Sequence, residues 1–96
     1  MVVKEIKEIL RKHKVLLEQK YKVKNIGIFG SCARGDENNT SDIDILVDFI
    51  EPPDMFEFIQ LENFLSSILS VKVDLVTRKA LKPLIKGDIL KETVYI

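Results

Sequence analysis

"IFGSCARGDENNTSDIDILV" runs from Ile28 to Val47. The β-formers Val23, Ile26, Ile28 and Phe29 predict a strand over 23–29, which Gly30 ends. Downstream, DIDILVDF (Asp42 to Phe49) reads as a second strand, with Ile43, Ile45 and Val47 alternating against Asp42, Asp44, Leu46 and Asp48. Side chains alternate faces along a strand, so Asp42 and Asp44 point the same way, about 6–7 Å apart. Between the strands, Ser31 to Ala33 is expected to begin a short helix or turn, and Gly35 to Ser41 is polar loop, dense in turn formers.

Upstream, residues 2–20 carry Ile6, Ile9, Leu10, His13, Leu16 and Leu17 at helical spacing, with Lys and Glu on the other face. His13 falls near the apolar stripe and reads as a packed or partly exposed histidine rather than a ligand, since the chain holds no second His to share a metal. Downstream, Pro52 and Pro53 break the chain. Asp54 then fits an N-cap, with Glu57 completing a capping box. The helix it starts runs to about Ser70 and is expected to bury Phe58, Leu61, Phe64, Leu65 and Ile68. Val71 to Thr77 predicts a third strand. Leu84 to Glu92 predicts a short helix weakened by Gly87, and Thr93 to Ile96 a short terminal strand. This order implies an α/β (α+β) fold: a small mixed sheet flanked by helices. The unit from Asp42 to Thr77 is expected to be a right-handed parallel crossover.

The 96 residues point to one domain, 1–96, with a modest core and no room for a second substrate-binding lobe. Formal charge balances at 15 basic against 15 acidic residues, but the signs are segregated. Residues 1–24 hold eight Lys or Arg and three acids; residues 36–62 hold nine acids and no Lys or Arg; residues 72–96 hold six bases and three acids. An acidic middle suits cations, and basic flanks either meet an anion or serve solubility. One cysteine, Cys32, excludes an internal disulfide and a cysteine-based zinc site. It reads as a small packed side chain rather than a nucleophile. Lys4, Glu5, Lys7 and Glu8 interrupt every early apolar run, which argues against a signal peptide. No stretch approaches the roughly 20 apolar residues of a membrane span. A cytoplasmic location is the simplest expectation.

Gly30 at a strand end lets the backbone turn and a bulky anion approach. A helix starting there would offer free N–H groups, and Ser31 adds a hydroxyl. This is not a Walker loop, whose Gly-Lys-Ser/Thr is missing. Ordinary turn chemistry explains Gly-Ser about as well. Asp42 and Asp44 are harder to read as structure, because two carboxylates on one strand face repel and Asp disfavours strands. A cation or a solvent-facing polar edge would account for them. Asp74, mid-strand between Val73 and Leu75 in VKVDLVT, favours the cation. If that strand lies beside the second, three carboxylates share a face and form a hard-oxygen site of the kind Mg²⁺ prefers. Two such ions about 3.5–4 Å apart clamp the attacking and leaving oxygens of an in-line phosphoryl transfer. Asp48, further along, is taken as a surface residue.

Gly30-Ser31, a ten-residue spacer, Asp42-Ile43-Asp44 and the later Asp74 together resemble the signature of the DNA polymerase beta-like nucleotidyltransferase superfamily. The surrounding stretch is similar to the minimal nucleotidyltransferase (MNT) subgroup, the antitoxins of HEPN–MNT toxin–antitoxin pairs. The resemblance extends over nearly the whole chain and implies that fold. It also implies ATP as substrate and two Mg²⁺ ions, with Asp42 and Asp44 on both metals and Asp74 on the catalytic one, beside the acceptor hydroxyl. Gly30 and Ser31 would bind phosphates. Arg34, where the subgroup often carries Arg-Gly, either meets a phosphate or is an exposed loop residue. The implied reaction moves AMP onto a tyrosine hydroxyl of a cognate HEPN ribonuclease. The acceptor must come from outside, since neither Tyr21 nor Tyr95 is placed as a self-acceptor.

Two other readings stay open. The chain could neutralise a toxin by binding alone, or transfer a nucleotide to a small molecule or nucleic acid. Near-neutral charge and the lack of an RNA-binding lobe weigh against nucleic acid. A homo-oligomer could build a small-molecule pocket between subunits, and a hetero-oligomer with the toxin suits the other two readings.

Overall fold

A computed structural model describes residues 3–30, 42–81 and 83–96. The expected turn at 31–33, the polar loop at 35–41, and the side chains of Ser31, Cys32 and Arg34 lie outside the described residues.

Helices α1 (Val3–Lys12) and α2 (Lys14–Lys20) replace the single helix expected over 2–20. The break falls at His13, whose backbone N–H turns to the Leu10 carbonyl at 3.1 Å. Its ring Nδ1 stands 2.9 Å from the Ile9 carbonyl oxygen, which can only accept. The imidazole N–H therefore takes the place a backbone N–H fills in an unbroken helix, and the chain changes phase. Ile6, Leu10 and Leu17 stay buried, while Leu16, expected on the apolar stripe, is 40% exposed. The ring also meets Phe64 edge-on at 5.6 Å, so His13 is indeed a packed histidine.

Strand β1 (Val23–Phe29) pairs antiparallel with β2 (Ile43–Phe49). Helix α3 (Met55–Leu69) leads from β2 to β3 (Val73–Thr77), which lies parallel to β2 as the crossover reading requires. A 3₁₀ turn at Arg78–Ala80 and helix α4 (Pro83–Glu92) precede β4 (Val94–Tyr95), antiparallel to β1. The sheet order is β3-β2-β1-β4, the mixed sheet that was expected.

The α3 capping box is present: Asp54 Oδ1 accepts from the Glu57 N–H at 2.7 Å, and Glu57 Oε1 faces the Asp54 N–H at 3.5 Å. Its apolar positions recur every four residues, and Leu61, Leu65 and Leu69 are buried against the sheet, with Phe58, Phe64 and Ile68 packed around them. Ile26, Ile28, Ile43, Ile45, Val47, Val73 and Leu75 supply the sheet's side of this core. The helices thus cover the face that the Ile43-Ile45-Val47 alternation makes apolar, and β2 turns Asp44, Leu46 and Asp48 to the other face.

Two side chains one turn apart on α3 hold the edge strand. Ser66 Oγ accepts from the Val73 N–H at 3.0 Å and Glu62 Oε2 from the Leu75 N–H at 3.2 Å. They occupy donors that an exposed edge would offer to another chain.

Leu61 is fully buried at the centre of this packing. Leu61→Ala is expected to lower unfolding free energy by about 2–5 kcal/mol, measured by urea titration. Ile59→Ala, on the exposed side of the same helix, should stay within about 1 kcal/mol of the parent.

Candidate active site on the second face of the sheet

The strand registers lay out the second face, opposite the Ile43-Ile45-Val47 core, as rows. Asp44 stands opposite Phe29 on β1 and Asp74 on β3. Leu46 stands opposite Gly27 and Val76, with Tyr95 of β4 beyond Gly27. Asp48 stands opposite Asn25. Successive rows are about 7 Å apart. A registered pair projects to one face, so Asp44 and Asp74 are immediate neighbours, one half-buried and the other exposed.

Asp42 is exposed and sits just before β2. The next residue is anchored, because the Ile43 N–H donates to the Lys72 carbonyl at 3.0 Å. The strand's alternation, continued one step back, gives Asp42 the same face as Asp44. Among the described residues, no three His, Cys, Asp or Glu side chains are gathered so as to hold a metal ion. The structure sets Asp44 and Asp74 side by side and leaves Asp42 at the rim without closing the three into a cage. Adjacent carboxylates repel, and a cation is what draws them together.

Gly30 has φ of +72°, in the left-handed region. A Cβ built there would overlap the Asp44 carboxylate, with Asp44 Cγ at 3.1 Å and its Cβ at 3.3 Å. Glycine is therefore required twice, by backbone conformation and by the carboxylate lying against it. This cradle lies at the end of β1 and the start of β2. The donors fit Mg²⁺: hard carboxylate oxygens held by paired strands, with Asp42 and Asp74 exposed.

Asp48 departs from the surface role expected of it. It is half-buried and lines a cavity of about 240 Å³ with Asn25, Leu46, Arg78 and Tyr95. Asp48 shares its parity with Asp42 and Asp44, which was the signal available in the sequence. Asn25 and Tyr95 carried none, because only the strand pairing brings them there. Gly27 makes that pairing possible: a Cβ would stand 2.6 Å from Thr93 Cγ2 and 3.0 Å from the Val94 carbonyl oxygen.

Residues 4–96 match the family model described as a nucleotidyltransferase domain. An inferred protein adenylyltransferase of Methanocaldococcus jannaschii is 54% identical over 93 residues, covering 96% of this chain and 95% of its own. The protein adenylyltransferase MntA of Thermococcus cleftensis is 44% identical over 96 residues, covering 100% of this chain and 97% of its own. Among solved structures, an inferred minimal nucleotidyltransferase superposes with a TM-score of 0.80 at 29% identity, over 98% of this chain and 95% of that one. A toxin–antitoxin crystal structure with AMP-PNP contains a chain with a TM-score of 0.70 at 26% identity, over 88% of this chain and 69% of that one.

The two glycines at Gly30 and Gly87 separate the cradle from ordinary helix propensity. Gly30→Ala should destabilise by more than about 1 kcal/mol, through positive φ and the displaced carboxylate. Gly87, inside α4 with no atom within 4 Å of a built Cβ, should gain about 0.5–1 kcal/mol as Gly87→Ala. Thermal melts of the two variants check both signs.

Proposed function

Because the chain belongs to the nucleotidyltransferase domain family, we propose that it is a Mg²⁺-dependent protein adenylyltransferase that moves AMP from ATP onto a tyrosine hydroxyl of a HEPN-type toxin and thereby acts as its antitoxin. One observation carries the chemical half of this reading: Asp44, in register with Asp74, lies against a glycine whose missing Cβ makes the space for it. The partner half is supported by the adenylyltransferase names of the relatives and by the toxin–antitoxin neighbour with AMP-PNP. ATP supply and the lack of any membrane-crossing helix among the described residues agree with action in the cytoplasm.

In this reading Asp42 and Asp44 would hold two Mg²⁺ ions and Asp74 one of them, and the ions would supply charge neutralisation at the α-phosphate and at the leaving pyrophosphate. Gly30 and Ser31 cradle the phosphates through backbone N–H and hydroxyl donors, and Arg34 adds a positive charge beside them. The tyrosine oxygen attacks the α-phosphorus in line, the bond to the β-phosphate's bridging oxygen breaks, and pyrophosphate departs with that electron pair. Asp74, exposed beside Asp44, would receive the phenol proton. The product is a tyrosyl phosphodiester of AMP.

Binding alone is favoured by a different feature. Ile50, Met55, Phe56 and Ile59 are 61%, 79%, 70% and 47% exposed, an apolar concentration suited to protein contact. A double substitution, Asp42→Asn with Asp44→Asn, separates the two readings. Incubated with labelled ATP, Mg²⁺ and the toxin, the parent should label the toxin. The double variant should bind the toxin yet neither label nor silence it. Silencing retained by the double variant would leave contact as the mechanism and reject the transferase.

A further inference from the structure

On the sheet's second face, the geometry points to the cavity of Asn25, Leu46, Asp48, Arg78 and Tyr95 as the seat of the acceptor polypeptide beside its reactive tyrosine, which makes Asn25, Asp48 and Tyr95 specificity-determining residues for the acceptor. The inference rests on the transferase reading and extends it to where the second substrate lies.

The direction of the reaction places the acceptor. In-line displacement sets the attacking and leaving oxygens on opposite sides of phosphorus. The phosphate cradle at Gly30 and the rim carboxylate Asp42 lie at the end of the sheet where β2 begins. A pyrophosphate held there leaves toward the rim. The attacking hydroxyl then arrives from the other side, over the row of Leu46. That row is where β2 continues down the second face, and the cavity begins one pleat repeat, about 7 Å, below Asp44.

The walls suit a segment of polypeptide. Leu46 is buried in the floor and gives an apolar base, while Tyr95, 45% exposed, offers a ring face. Asn25 and Asp48 are cross-strand partners, so an amide and a carboxylate stand together to bond a backbone N–H or a polar side chain. Arg78 supplies a donor from the far edge. At about 240 Å³ the cavity holds a side chain or two rather than a whole substrate. A second, apolar cavity of about 380 Å³, bounded by Phe49, Pro53, Met55 and Phe58, shares Asp48 and Arg78 with it. A chain leaving the first cavity over those residues meets the second, and the continuous path is longer than a small acceptor needs. Thr93 and Tyr95 can come this close to the sheet only because Gly27 has no side chain.

The test is steady-state transfer of AMP to the intact HEPN-type partner by Asn25→Ala, Asp48→Asn, Tyr95→Ala and Tyr95→Phe proteins. Asp48→Asn keeps the side chain's shape, so it reports even if Tyr95→Ala frees β4. Asn25→Ala, Asp48→Asn and Tyr95→Ala should each raise KM for the acceptor by about ten-fold, with kcat and KM for ATP little changed. Tyr95→Phe should behave as the parent does. If KM for ATP rises while that for the acceptor does not, the cavity holds the nucleotide and the proposal is overturned. Unchanged acceptor KM in all the variants also overturns it while leaving the transferase reading intact. No transfer by the parent protein defeats both.

Discussion

Asp44 lies between two neighbours that run in opposite senses, Phe29 on an antiparallel strand and Asp74 on a parallel one. The first pairing brings the end of β1, and with it Gly30, against the Asp44 carboxylate. The second brings in a carboxylate from 30 residues further along the chain. A one-residue slip in either would turn a carboxylate into the helix-covered core, where an unpaired charge is costly. The core face resists that slip, because Ile43, Ile45 and Val47 would surface in exchange. The register of the site is thus enforced from the side of the sheet that carries no chemistry.

Asp74 needs more than register, because β3 is an edge. Its outward N–H groups at Val73 and Leu75 donate to Ser66 and Glu62, side chains of the helix that also forms the crossover. The same helix that makes β3 parallel to β2 therefore closes its free edge. Its own start is fixed by the Asp54–Glu57 box and its end by Ser70 in the left-handed region, with φ of 56°. Stability and site geometry meet in α3: its Leu61, Leu65 and Leu69 side holds the sheet, and its polar flank holds the strand that presents the third carboxylate.

Local chemistry was legible in the sequence and non-local pairing was less so. The two-residue alternation of DIDILVDF announced the faces of β2 before any neighbour was known. The capping box announced the start of α3, and the requirement for a crossover announced the parallel β3. Asp44 and Asp74 follow from those readings. The break at His13 could not be read, because helical spacing continues through it and only the ring's capture of the Ile9 carbonyl ends α1. Leu16 was placed on the stripe for the same reason. The cavity was hidden more deeply. Asn25, Asp48 and Tyr95 come from three strands and share a wall only after β1 has paired on both sides. Gly27, which permits the second pairing, looks in sequence like a flaw in a strand.

The segregation of charge along the chain acquires a spatial sense once the sheet is assembled. Asp42, Asp44 and Asp48 come from the acidic middle segment, and Asp74 joins them from a basic one by lying beside Asp44. Carboxylates spaced by strand geometry on a rigid sheet cannot separate far enough to relieve their repulsion, since the backbone holds them. Under the proposed function, a triphosphate arriving with divalent cations would bring counter-charge to these carboxylates. Arg78 and Asp48 stand together in the wall of the neighbouring cavity, which begins one row from Asp44 and Asp74. Under the proposed function, a metal-bound nucleotide would sit at the Asp44–Asp74 end of this face and the acceptor at the Asp48 end.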